Sequence, residues 1–321
     1  MASKYETEPE LRNENNSHTI IIGLVGQNKT VLDVGAATGY VAKLLSEQGC
    51  NVTGIEVDPD AARKAEEHCE RVITGDIEGL DLQAELGDSS FDVIVFGDVL
   101  EHLKEPLEVL KSFKPFLSPE GYVVASIPNV AHGSVRLALL QGKFRYQSLG
   151  LMDDTHLRFF TRETIEQMFT EAGLVITEMN RTRLGMFNTE VEVDREELPR
   201  GIVKEIQNSP EAQTYQFVLK AYSLNGSKEL LELAEHNHQL SEQLAERDRE
   251  DSRLSEQLAE RDRTIHEQER KLRNLERMQG LLDTRAERLS EKEREVTELT
   301  QEVARLRRQI ARLRQPQGGD S

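Results

Sequence analysis

"TVLDVGAATGYVAKLLSEQG" occupies residues 30–49, and its first half decides the fold. A β-branched run, "TVLDV", ends in Gly35, and a helical pattern starts at Tyr40. The chain therefore turns sharply from a buried strand into a helix, a place where backbone N–H groups and a helix N-terminus face a ligand. Gly35 and Gly39 remove side chains where that ligand would meet the main chain. The spacing differs from GxGxxG, and the turn is too short for a lysine-bearing phosphate loop, so nothing in it asks for a pyrophosphate.

Outward from this turn, strand and helix patterns alternate. "NVTGIEV" (51–57), "RVITG" (71–75), "FDVIVFG" (91–97) and "GYVVASI" (121–127) read as strands. Asp58-Pro59 supplies an N-cap and a first-turn proline for a helix through Ala61–His68, and further helices fit 105–117 and 162–172. Strands at 174–179 and 214–223 bring the total to seven. Such alternation implies an α/β domain with a mostly parallel sheet. The last strand follows a long acidic connection, so it is expected to enter antiparallel.

Acids recur where such strands end. Glu56 ends the second strand, 17 residues after Gly39, where a carboxylate can accept two ribose hydroxyls; Asp76 ends the third, placed for an adenine amino group; Asp98 follows the fourth. All these ends share one sheet edge, the switch point at which such folds bind ligands. The bland alternative for Asp33, Glu56 and Asp98 is that each satisfies backbone groups at a strand end.

"VLDVGAATG", "VTGIEVDP", "GDIEGL", "FDVIVFGDVLEHL" and "GYVVASIPN" occur in the order of the motifs of class I S-adenosylmethionine-dependent methyltransferases. The chain resembles that family over roughly residues 17–223. The resemblance implies a Rossmann-like seven-stranded sheet and S-adenosyl-L-methionine as cofactor. It places Asp33, Gly35 and Gly39 near the methionine moiety, Glu56 on the ribose, Asp76 and Ile77 at the adenine, and Asp98 at the methyl-donor end. Ala37 departs from the pattern, standing where many members have a second glycine. "GDVLEHL" also stands where methyltransferases of base or glutamine nitrogens carry an Asn/Asp-Pro-Pro-Tyr/Phe motif, which argues against that class.

A hydroxyl acceptor benefits from a general base near neutral pKa, usually histidine. His102, His132 and His156 are the candidates, and 128–161, with Asn129, Arg136, Asp153, Asp154 and Arg158, is where the family builds its acceptor pocket. His156 is preferred, because two flanking carboxylates would orient it and raise its pKa, and His132 is second. Each histidine alone also fits a structural role. "SIPNVAH", "GLMDDTHLRFFT" and "EAGL" resemble methyltransferase modules that accompany glycosyltransferases in bacterial polysaccharide pathways, implying a saccharide or related hydroxylated acceptor. Another small molecule, a protein acceptor, or an inactive scaffold remain alternatives.

The 321 residues hold 58 acidic and 40 basic side chains. The net charge is −15 over 1–227 and −3 over 228–321. An acidic catalytic part repels a phosphate backbone, so nucleic acid is not the expected partner. Cys50 and Cys69 form no CxxC pair, and no metal centre is expected. The first residues lack a signal-peptide pattern and no apolar run reaches a membrane span, so a cytoplasmic protein is expected, with any contact at the inner membrane surface peripheral.

Composition changes near Asn225-Gly226, after which phenylalanine, tyrosine and strand-like runs disappear. The expected organisation is a disordered 1–16, a methyltransferase domain at 17–227, a coiled coil at 228–314 and a disordered 315–321. "LSEQLAERDR" occurs at 240–249 and again at 254–263, two heptads apart. Leu233, Leu240, Leu254, Leu275, Leu282, Leu289, Val296, Val303 and Ile310 share one heptad phase. The companion seam lies four residues later at first and three residues later at the end, so the phase slips near Gly280 by a stutter or a break. A homo-oligomer through 228–314 is expected, with a solitary helix held by i,i+4 pairs as the alternative. The basic end, "VARLRRQIARLR" (303–314), either closes the coil or contacts an acidic membrane surface or a partner such as a glycosyltransferase.

Overall fold

A computed structural model describes residues 13–223 and 228–313. Contacts divide the chain into two units, 1–249 and 250–321. The expected junction at 224–227, the first twelve residues and the last eight lie outside the described residues.

The first unit begins with α1 (Ser17–Val25). Its N-cap is Asn16, whose side chain accepts from the N–H groups of His18 and Thr19. Then follow β1 (Thr30–Val34), α2 (Tyr40–Glu47), β2 (Asn51–Glu56), α3 (Pro59–Ala65) and β3 (Arg71–Thr74). Asp58 caps α3 through the Asp60 N–H with proline at the first turn, as the sequence implied. After α4 (Leu82–Leu86) come β4 (Phe91–Gly97), α5 (Pro106–Phe113), β5 (Leu117–Pro128), α6 (Gly133–Leu140), α7 (Arg162–Glu171), β6 (Leu174–Arg183), α8 (Arg200–Gln207) and β7 (Thr214–Ser223).

The seven strands lie in the order β3-β2-β1-β4-β5-β7-β6. β1 to β5 are parallel, and β7 runs antiparallel between β5 and β6. This Rossmann-like sheet is buried on both faces, which is why its central strands are nearly continuous apolar runs. Val31, Val93, Val95 and Val124 pack under α1 and α2 with Ile21, Val41 and Leu45. Leu32, Val34, Ile94, Phe96 and Val123 pack on the opposite face against Phe113 and Phe169 of α5 and α7. Because β1 to β4 are parallel, their carboxyl ends, at Val34, Glu56, Thr74 and Gly97, share one edge.

After the sheet, α9 (Lys228–Leu313) runs for 86 residues. It passes through Gly280 without interruption, so the helix does not break there. Among the described residues no helix is long and apolar enough to cross a membrane.

Candidate active site

Local geometry makes the β1–α2 turn rigid. Gly35 and Gly39 both have φ +78. A Cβ on Gly39 would lie 2.8 Å from the Cα of Ala65, so this glycine seats α3 against the turn as well as supplying the left-handed angle. Ala37 is also left-handed, at φ 45. An L-residue with a Cβ adopts that conformation at a cost of about 1–2 kcal/mol, where a glycine would not. The turn supports it through Glu56, whose Oε2 accepts the Ala37 N–H at 2.8 Å while Oε1 accepts the Asp58 N–H at 2.9 Å. Gly35 and Ala36 both donate to the Ile55 carbonyl, at 2.8 and 3.0 Å. The Gly39 N–H donates to the Ala36 carbonyl at 2.8 Å, so four N–H groups of this turn are used inside the fold, and fewer face a ligand than the sequence suggested.

Asp33 and Glu56 are both buried side by side at the strand ends. Burial, and then the neighbouring Glu56 charge, push the Asp33 carboxyl up to about 7. Its Oδ2 has no hydrogen-bond partner. A cationic group docking there would satisfy that oxygen and return the carboxylate to its charged form. Asp76 is exposed at the end of β3, its Oδ1 accepting from the Glu78 N–H at 3.0 Å. Ile77 beside it is half-buried against the core.

Asp98 sits just past β4 at φ 55. Ser126 Oγ accepts the Asp98 N–H at 2.9 Å and donates back to Oδ1 at 2.7 Å, and Gln216 donates to the same oxygen at 2.9 Å. A non-glycine residue held in this region by three bonds is the kind of strain that collects at functional sites. The Asp98 charge reaches two groups of side chains. On one side it raises the Tyr40 hydroxyl, itself lifted mainly by burial, and opposes the burial that lowers His18. Tyr40 and His18 are hydrogen-bonded, with rings edge to face at 4.7 Å. On the other side it acts on Glu101 and His156.

Glu101 is 1% exposed, and neither carboxylate oxygen has a partner. Burial foremost, then the Asp98 charge, holds its carboxyl well above the usual range. Its backbone carbonyl accepts the N–H groups of Leu157 and Arg158 at 2.8 and 2.9 Å, which docks the 153–158 loop against the end of β4. That docking sets the His156 and His102 rings edge to face, 4.8 Å apart. Burial and then His102 lower the His156 pKa, outweighing the pull of Asp153. The expected upward shift is thus corrected: the surroundings of His156 favour the neutral imidazole. Glu101, His102 and His156 offer ligand atoms all within 4.8 Å of one another, a donor set suited to a divalent cation that sequence reading missed.

His132 has different work. It is fully buried as the N-cap of α6; Nδ1 engages Ser134, and Nε2 meets the Leu184 carbonyl at 3.0 Å. With both ring nitrogens occupied it has no position from which to take a substrate proton, so it does not serve as the second candidate base. Other polar residues of 128–161 are also structural. Asn129 donates to the carbonyls of Glu211 and Thr214, Arg136 bonds Ser209, and Arg158 bonds the Lys104 carbonyl.

The chain is similar to known proteins. A family model described as a methyltransferase domain matches residues 20–179. Residues 20–179 are a methyltransferase domain. Domains of this class take S-adenosylmethionine as methyl donor. A ubiquinone biosynthesis O-methyltransferase of Hydrogenovibrio crunogenus is 26% identical over 155 residues, 47% of this chain and 64% of that protein. Its counterpart from Actinobacillus pleuropneumoniae is 30% identical over 129 residues, 38% of this chain and 54% of its own. The chain thus spans between about half and two thirds of these relatives. A solved S-adenosylmethionine-dependent methyltransferase of Archaeoglobus fulgidus aligns over 66% of this chain and 96% of its own, at 17% identity and a TM-score of 0.46. The matched methyltransferase domain includes the β1–α2 turn, Glu56, Asp98 and His156, and stops short of α9.

Proposed function

We propose that this chain transfers a methyl group from S-adenosylmethionine to a hydroxyl oxygen of a small acceptor, with His156 taking the hydroxyl proton. The observation that carries the reading is the neutral, half-buried His156, docked beside His102 and Glu101 and within the influence of Asp98. The cofactor supplies an electrophilic methyl group on a sulfonium. The acceptor oxygen forms the new O–C bond as the C–S bond breaks, and the proton passes to a histidine ring nitrogen. Such an in-line displacement asks the protein chiefly for alignment and exclusion of water.

On the donor side, the unpartnered Asp33 Oδ2 fits the amino group of the methionine moiety. Glu56 keeps lone pairs for the ribose hydroxyls while holding Ala37 and Asp58. Asp76 and Ile77 fit the adenine, and Gly35 and Gly39 leave room beside the methionine moiety. Asp98, Tyr40 and His18 would line the methyl-donor end.

For the acceptor, a saccharide hydroxyl is the first reading, on the polysaccharide-pathway motifs. The relatives' names pair O-methylation with ubiquinone biosynthesis, which supports a quinone precursor as the second. Exposed Phe144, Tyr146, Leu149 and Leu157 beside the acceptor segment suit either a sugar face or a ring. Transfer of labelled methyl from S-adenosylmethionine to panels of the two acceptor types, with and without a chelator, tests both. Methylation of saccharides that survives the chelator supports the reading with His156 as base. Loss of turnover restored by Mg²⁺, Mn²⁺ or Zn²⁺ reassigns His156 to a cation, and product only from quinone precursors selects the second acceptor.

A further inference from the structure

Along the last part of α9 the apolar stripe is exposed among the described residues. Leu282, Leu289, Val296, Leu299, Val303 and Leu306 are between 48% and 61% exposed. They follow a seven-residue repeat, whereas a straight helix turns once in 3.6 residues. Such a stripe drifts about 20° per heptad and stays on one face only where the helix supercoils around another.

We infer that a second copy of this chain covers the stripe, forming a parallel, in-register, two-stranded coiled coil whose tightest part is residues 296–313. Two independent features select that partner, number and direction. The first is the seam itself. With Leu282 and Leu289 at position a, the sequence continues with Val296, Val303 and Ile310 at a and Leu299, Leu306 and Leu313 at d. β-Branched residues at a with leucine at d fit parallel dimers and disfavour higher-order bundles.

The second feature is charge on the flanks. In a parallel pair each g residue meets the e residue five positions later on the partner. That rule sets Arg288 against Glu293 of the other copy, and Glu302 against Arg307. All four side chains are exposed, and among the described residues none has an ion-pair partner. Five residues apart, they cannot meet within one helix, where only neighbours three or four apart face each other. Of the intrahelical pairs that would support a solitary helix, Glu267–Lys271 and Glu269–Arg273 lie upstream of this seam, and Lys292–Glu295 within it uses neither of the two g–e pairs.

Leu299→Cys in the full chain tests direction and register together. In a parallel in-register dimer position 299 faces its own counterpart within disulfide reach, so mild oxidation should give a covalent dimer. Glu298→Cys, one residue away on the outer face, should not cross-link. Wild type oxidised alongside sets the background from Cys50 and Cys69. Light scattering on the unmodified chain should give twice the 36.4 kDa monomer mass. Glu302→Lys should move the monomer–dimer midpoint roughly ten-fold higher in concentration, and Glu302→Lys with Arg307→Glu should restore it. A monomer mass, a trimer mass, or a dimer in which Leu299→Cys fails to cross-link would each overturn the inference. So would a double charge swap that fails to restore the midpoint in a variant of unchanged helicity.

Discussion

Asp33 is held at about 7 against an ordinary value near 3.8, so the folded chain keeps its proton more tightly than the unfolded chain does. Stability from this group is greatest below about pH 4 and declines as pH rises towards 7. Asp33→Asn should flatten that decline, which thermal melts at pH 5 and pH 7.5 would show. A cationic amine beside Asp33 favours the carboxylate, so binding of S-adenosylmethionine should tighten from pH 5 to pH 8. An unchanged affinity over that range would remove Asp33 from the cofactor site. At the acceptor end, His156→Ala should lower turnover by roughly 10²–10⁴-fold with little effect on cofactor affinity. Because His156 must be neutral to accept a proton and burial lowers its pKa from the ordinary imidazole value, turnover should hold down to mildly acidic pH and then fall. A similar loss in cofactor affinity would place His156 elsewhere. The strand-end acids could be read from the sequence because strand periodicity and spacing fix which edge they occupy. His18, Tyr40 and Glu101 could not, since their importance comes from Asp98 and from a loop docked 50 residues downstream. His132 misled for the converse reason: its position is right, but tertiary contacts occupy both ring nitrogens.

At the scale of elements, the β1–α2 turn carries the most constraint. Gly39→Ala would set a Cβ against the α3 backbone while demanding a left-handed angle. It should destabilise the domain by roughly 1–3 kcal/mol, read from denaturant melts. A variant as stable as wild type would mean that α3 yields more easily than its packing indicates. Periodicity revealed β1 to β5, because apolar runs and glycine turns are local signals, and the long acidic connection before β7 revealed its antiparallel entry. The helices α6 and α8 escaped notice for a local reason too. α6 opens on glycine with a histidine cap, and α8 follows an acidic loop and Pro199 and carries a second glycine, Gly201, in its first turn. Both are stabilised by packing of Leu137, Val203 and Ile206 with Met186 rather than by propensity.

At the scale of the whole molecule, aromatic and strand-like residues stop near Asn225-Gly226, and a helix without them cannot build a core of its own. Deleting 228–321 should therefore leave a chain that melts cooperatively and still binds cofactor; loss of folding would show that the helix completes the domain. Everything else depends on the sheet edge of residues 33–98 being a site for S-adenosylmethionine. The most direct test is calorimetric titration of S-adenosylmethionine into the purified full-length chain, beside Glu56→Ala. The expected result is one site per chain with a dissociation constant on the order of micromolar. Losing a charge-assisted ribose contact should weaken it roughly 10- to 150-fold in the variant. No binding to a chain shown by circular dichroism to be folded, or equal binding by wild type and Glu56→Ala, would contradict the account.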